Sequence, residues 1–200
     1  MNIFVLCTGR CGSTTFWKAC THITNYSTAH ESRCNKIGIE RLAYPKKHIE
    51  IDNRLSWFLG KLDVVYGDQA FYVYLKRDRE ETARSFTKRF DAPVSIMTAY
   101  TKGILMLGDS YKNMDAESLC LDYYDTVNSN IELFLQNKTK KMVFDLSTAK
   151  KDYLRFWNEI KAVGQLDKAL REWDCLHNAT QAAIRFLKKH QTDAQFPNKE

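Results

Sequence analysis

Apolar positions change their spacing about halfway along the chain. Asn2 to Leu6 (NIFVL) is a short unbroken apolar run of the kind a strand covered on both faces needs, and Ala70 to Lys76 (AFYVYLK) is a second, rich in aromatic and β-branched residues. Between them the pattern predicts a helix at Ser13 to Thr21, a short strand at Tyr26 to Ala29, an irregular basic stretch from Arg33 to Lys47, an extended segment at His48 to Ile51 and a helix at Leu55 to Val65. Asp78 can cap a helix running to about Phe90, with Glu81 three residues on to complete a capping box. Beyond it the period turns helical. Val94, Met97, Tyr100 and Ile104 fall on one face, as do Cys120, Tyr124, Val127, Ile131 and Phe134. One further strand is expected at Lys141 to Asp145 (KMVFD), followed by helices carrying Tyr153, Phe156, Trp157, Ile160 and Val163, then Leu170 and Trp173, then Leu176, Ala179, Ala183 and Phe186. Alternation followed by a mainly helical second half predicts an α/β fold, a sheet flanked by helices.

Composition adds limits. Two hundred residues with 44% hydrophobic content can bury one substantial core, and 3 Pro, 8 Gly and no repeat or low-complexity tract leave no linker, so residues 1–200 are expected to form a single domain. Thirty Lys and Arg against 24 Asp and Glu give a formal charge of +6, compatible with an anionic small substrate, a polyanion or plain solubility. Six cysteines show no CxxC pair and no Cys/His grouping at zinc spacings, so reduced thiols and a cytoplasmic setting are expected, with no metal. No segment reaches about 18 uninterrupted apolar residues, so no membrane segment is expected.

The first strand runs into CTGRCGSTTF, residues 7 to 16. It is not the loop of nucleotide hydrolases, GxxxxGK[ST], because Ser13 follows Gly12 where Lys is required and Cys7 stands where the first Gly should be. Nor is it a tyrosine-phosphatase loop, since six residues beyond Cys7 and Cys11 lie Ser13 and Trp17 and not Arg. What remains is one cation, Arg10, one Gly able to approach an anion closely, Gly12, and three hydroxyls, Ser13, Thr14 and Thr15, at a helix start. Free amides and the helix dipole there favour a phosphate; a capped turn with a solvated Arg would use the same residues.

A second cluster lies at the end of the aromatic strand. Arg77 closes it, and Ser85 follows eight residues on, two turns into the next helix. Groups at such strand ends reach ligands lying across the carboxyl edge of an open α/β sheet.

With Arg10-Cys11-Gly12-Ser13-Thr14 and the Arg77/Ser85 pair within YVYLKRDREETARSF, the sequence resembles the sulfotransferases that use 3′-phosphoadenosine 5′-phosphosulfate (PAPS). In that family the first loop, [KR]-x-G-[ST]-[ST], holds the 5′-phosphosulfate, and a later Arg with a Ser eight residues on holds the 3′-phosphate. The resemblance covers roughly residues 2 to 31 and 48 to 90, with a weaker echo at Val143-Phe144-Asp145-Leu146. It implies a P-loop-like parallel sheet, and a cofactor site of Arg10, Cys11, Gly12, Ser13, Thr14, Thr15, Arg77 and Ser85. Two departures stand out: no late Gly-rich basic segment follows Phe90, and Thr15 occupies the place of the aromatic that stacks on adenine in cytosolic members, with Phe16 and Trp17 slightly later.

The resemblance implies in-line transfer of a sulfuryl group to a hydroxyl or amine of a small-molecule or carbohydrate acceptor, with Arg10 stabilising charge on the leaving phosphate. The acceptor's base should lie near the end of the second strand, at His30 or Glu31. Glu31 is the first choice, since several branches of the family place a Glu there, although His30 is the better intrinsic base, because a free Glu titrates at about 4.3 and His at about 6.5. Either could instead pair with Arg33. Asp52, Asn53 and Arg54 could present a polar group to cofactor or acceptor, or cap a helix. The basic runs Lys138 to Lys141 and Arg185 to His190 read as solvated faces, so no nucleic acid is expected. Two other functions fit part of the pattern: an atypical nucleotide or small-molecule kinase, and a non-catalytic nucleotide-binding module.

Overall fold

The computed structural model describes residues 1–175 and 177. The last expected helix, with Leu176, Ala179, Ala183 and Phe186, and the basic run Arg185 to His190 lie outside the described residues.

Five parallel strands, β1 (Ile3–Leu6), β2 (Ser27–His30), β3 (His48–Ile51), β4 (Phe71–Lys76) and β5 (Lys141–Asp145), form one sheet in the order β2-β3-β1-β4-β5. The central strands are buried along their length because helices cover both faces, which is why they read as unbroken apolar runs. β5, at an edge, alternates exposed and buried residues instead. On one face α1 (Ser13–Cys20), α6 (Ala149–Glu159) and α7 (Leu166–Arg171) enclose a core built on Phe16, Phe144, Tyr153 and Phe156. On the other, α2 (Leu59–Tyr66), α3 (Arg79–Thr87) and α5 (Ala116–Gln136) pack on Phe4, Tyr72, Phe86 and Tyr123. This is an α/β fold with a parallel sheet flanked by helices, as the alternation implied.

Several segments differ from their sequence reading: α3 stops at Thr87, short of Phe90, and α6 stops at Glu159, which leaves Val163 exposed. Residues 55–65 do not form one helix: a 3₁₀ turn at Asn53–Trp57, capped by Asp52 accepting from Arg54 N (2.8 Å), precedes α2. Asp78 caps α3 by accepting from Glu81 N (2.8 Å), but the Glu81 carboxylate turns to the guanidinium of Arg77 (2.9 and 3.1 Å). The face expected of Val94, Met97, Tyr100 and Ile104 is split. Ser95 caps a short α4 (Ile96–Ala99), leaving Val94 ahead of it and 95% exposed, and a π turn over Tyr100–Ile104 shifts the period so that Ile104 also faces solvent while Met97 and Tyr100 stay buried.

Of the cysteines, Cys7, Cys11, Cys20 and Cys120 are buried and Cys34 and Cys175 exposed, all as free thiols. Among the described residues no helix is long and apolar enough to cross a membrane.

Candidate functional site

The connections from β1 and β4 leave toward opposite faces of the sheet, since α1 belongs to one core and α3 to the other. A crevice opens between the carboxyl ends of such a strand pair, and ligands of open α/β sheets bind there. Both sequence clusters end in it. Arg77 Nη1 donates to the carbonyl of Arg10 (3.1 Å), and Arg10 Nε donates to Ser85 Oγ (3.0 Å).

The loop of residues 7–12 takes its shape from left-handed backbone at Gly9 (φ 83°), Arg10 (φ 58°) and Gly12 (φ 88°). Such residues turn successive amides inward into an anion-binding concavity, and α1 starts at its rim, where amides lack helical acceptors. Three side chains brace the loop from below: Tyr123 Oη donates to Thr8 O (2.7 Å), Ser56 Oγ to Cys7 O (3.1 Å) and Asn53 Nδ2 to Thr8 O (3.4 Å). Gly12 is confined, because a Cβ there would lie 2.7 Å from Leu146 Cδ1.

Not every loop residue presents its side chain to the crevice. Cys11 is 1% exposed and Thr15 8%, so both side chains lie beneath the loop. The Cys11 thiol shares a hydrogen bond with Cys7 that holds Cys11 below the ordinary thiol range and raises Cys7; burial opposes the Cys11 shift, while the amides of Gly9, Cys11 and Ser13 favour it. These amides therefore favour negative charge. Arg10, Arg77 and Ser85 are part-exposed, as are Ser13 and Thr14 at the start of α1.

The cations of the crevice crowd one another, although Arg77 also carries the Glu81 carboxylate (2.9 Å). Burial, then the nearby charges of Arg89 and Arg77, push the Arg10 guanidinium below its ordinary pKa. Cations held together in this way favour a negatively charged guest. Arg89, which the sequence reading does not single out, lies four residues beyond Ser85 in the turn that follows α3.

The end of β2 brings the two candidate bases to one rim but orients them differently. His30 Nε2 lies 3.4 Å from Ser13 Oγ, and its ring stands 5.8 Å from that of Trp17. Glu31 is left-handed (φ 54°) and its carboxylate is bound by Arg54, whose Nε also reaches Asp52 Oδ1 (3.4 Å). Coulombic attraction to Glu31 and Asp52 holds Arg54 above its ordinary pKa against the largest influence, burial. Arg33 takes no part, donating instead to Glu40 O (2.9 Å). Asp52 is fully buried between Arg54 and Arg41 (2.6 Å), so it serves the cap and this ion-pair chain. Tyr124, also missed in the sequence except as a core residue, donates to Arg77 O (2.8 Å) and so fixes the second cluster.

No family model matches the chain, and no curated protein matches it. Solved structures do. The fold is similar to that of a sulfotransferase domain from the curacin biosynthetic pathway, with a TM-score of 0.57 and 12% identity over 86% of this chain and 77% of that one. A second match is mouse sulfotransferase SULT7A1 complexed with PAP, with a TM-score of 0.45 and 15% identity over 92% of this chain; the match spans 62% of that protein's length. The fold is thus one that sulfotransferases use.

Proposed function

We propose that this chain transfers the sulfuryl group of PAPS to a hydroxyl or amine of an acceptor. The observation that carries the reading is the meeting of two anion cradles, Arg10 and Arg77 being 67 residues apart in the chain, at one crevice: guanidinium of Arg77 on the Arg10 carbonyl, guanidinium of Arg10 on the Ser85 hydroxyl. A nucleotide phosphorylated at two positions suits such a pair, whereas one cradle would suffice for a single phosphate chain. The donor set fits this guest in kind: inward amides, the hydroxyls of Ser13, Thr14 and Ser85, and the clustered charges of Arg10, Arg77 and Arg89. The fold shared with a sulfotransferase domain supports it further.

In this reading Arg10, Gly12, Ser13 and Thr14 hold the 5′-phosphosulfate, Cys11 and Thr15 contribute through their backbone, and Arg77 with Ser85 selects the 3′-phosphate. PAPS supplies a sulfuryl group already joined to a leaving phosphate, so the chain's task is alignment and charge stabilisation. Arg10 stands where negative charge would accumulate. His30, turned toward Ser13, is the base that removes the acceptor's proton, and Glu31, engaged by Arg54, shapes the same rim.

Titration calorimetry with 3′-phosphoadenosine 5′-phosphate (PAP) and with ADP tests the reading. Wild type should prefer PAP, and Arg77→Ala should lose about tenfold or more of that affinity, the worth of a charge-assisted contact. Equal affinity for the two nucleotides would remove the 3′ site and the proposal with it.

A further inference from the structure

One fully buried carboxylate has no part in the roles above. Glu50, in β3, is 0% exposed; its Oε1 accepts from Ser32 N (2.7 Å), and its Oε2 meets both Ser32 Oγ (2.7 Å) and His48 Nε2 (2.9 Å). His48 Nδ1 lies 2.8 Å from Ser27 Oγ, and the ring stacks on Tyr44 (5.3 Å, 13°). Ser27, His48 and Glu50 have the membership of a nucleophile triad. However, the Ser27 amide, a usual oxyanion donor, is committed to Lys47 O (3.0 Å), and Glu50 is already occupied by Ser32. The bonds of Glu50 lead to Ser32.

Ser32 directly follows Glu31, whose left-handed backbone a side chain with a Cβ adopts only when its surroundings enforce it. Two sets of bonds enforce it: Glu31 N donates to Ile51 O (2.9 Å), and both donors of Ser32 close on Glu50. A buried carboxylate is stable only with its acceptor positions filled, so Glu50 holds the turn as firmly as the turn satisfies Glu50. We infer that Glu50 is a positioning residue: acting through Ser32, it fixes the turn that aims His30 at Ser13 and brings Glu31 to Arg54. Its consequence for turnover rests on the sulfotransferase reading, while its effect on His30 does not.

The test uses Glu50→Gln, which sets an amide NH₂ against the donors of Ser32 or His48, and Ser32→Ala, which removes one hydrogen bond at an exposed position and remains available where the first variant does not fold. Three quantities are read: the His30 ring signal by NMR, assigned by its loss in His30→Gln; the Kd for PAP by calorimetry; and conversion of PAPS to PAP with water as acceptor. Both variants should move the His30 signal and slow conversion by about tenfold to a hundredfold, with the Kd for PAP held within about twofold, and Ser32→Thr should restore the wild-type signal and rate. A His30 signal unmoved in both variants overturns the inference, and so do rate and PAP affinity falling together in step with Tm. If wild type neither binds PAP nor converts PAPS, the sulfotransferase reading fails and the His30 signal alone decides the role of Glu50.

Discussion

Gly12 illustrates how little freedom the loop leaves to single residues. Its φ of 88° penalises any side chain, and the 2.7 Å approach of Leu146 Cδ1 penalises a Cβ a second time. Gly12→Ala should destabilise the chain by about 1–2 kcal/mol from the backbone alone, read as a lower urea midpoint, and adding Leu146→Ala should recover only the part due to the contact. At His30 the expected change is in chemistry: His30→Gln should slow PAPS turnover by about a hundredfold with PAP affinity unchanged, and Glu31→Gln should slow it less. Arg10, Gly12, Ser13, Arg77 and Ser85 were legible as a site because a strand end, a Gly and a fixed spacing leave few other uses for them. The choice between His30 and Glu31 was not legible. His30 closes β2 while Glu31 lies just past it, and the left-handed turn at Glu31 that separates their surroundings depends on Glu50, which lies on another strand. Cys11 likewise reads as a loop residue in sequence, but its side chain is buried beside Cys7.

Among the elements, α5 has the widest reach. Neighbouring tyrosines on it hold both cradles, Tyr123 through Thr8 O and Tyr124 through Arg77 O, so the helix acts as a common brace. Tyr123→Phe leaves a buried carbonyl with one donor fewer and should cost about 1–3 kcal/mol of stability in urea unfolding. Tyr124→Phe should cost less stability and weaken PAP binding preferentially over ADP. A second tie joins the turn after α1 to the chain after α7: Glu172 accepts from His22 (3.0 Å) and His177 (2.8 Å). The His22 bond, chiefly, lowers the Glu172 pKa below its ordinary 4.5. A depressed carboxylate contributes stability that is present above its unfolded-state value and fades as pH falls through the folded one. Glu172→Gln should therefore lower Tm at pH 7, and the gap from wild type should close as the pH is taken below 4.5. The central strands and α5 were readable because burial on both faces or along one stripe dictates composition. Residues 94–104 were not, since a π turn inserts a residue into the period that the reading counts on.

At the scale of the molecule, a ligand that bridges connections leading to opposite faces of the sheet couples the two cores. PAP at about a hundred times its Kd should raise stability by about 2.7 kcal/mol, visible as an increase in Tm, and ADP at the same concentration should give much less. The net charge of +6 made an anionic partner reasonable without locating it; the three arginines around the crevice give that charge an address, and two of them were visible only through their spacing from other residues. Arg89 carries no such spacing signature and emerged from three-dimensional proximity alone.

The strand order has a consequence for how the chain reaches this state. Ile3 lies beside Ile49 on one side and Phe71 on the other, so the segment at the centre of the sheet must wait for partners far along the polypeptide. Assembly of the centre is then limited by long loop closures more than by local helix formation. A nascent chain that has not yet extended past Lys76 holds an apolar strand with one flank bare, which makes that interval of synthesis the one in which aggregation competes most directly with folding.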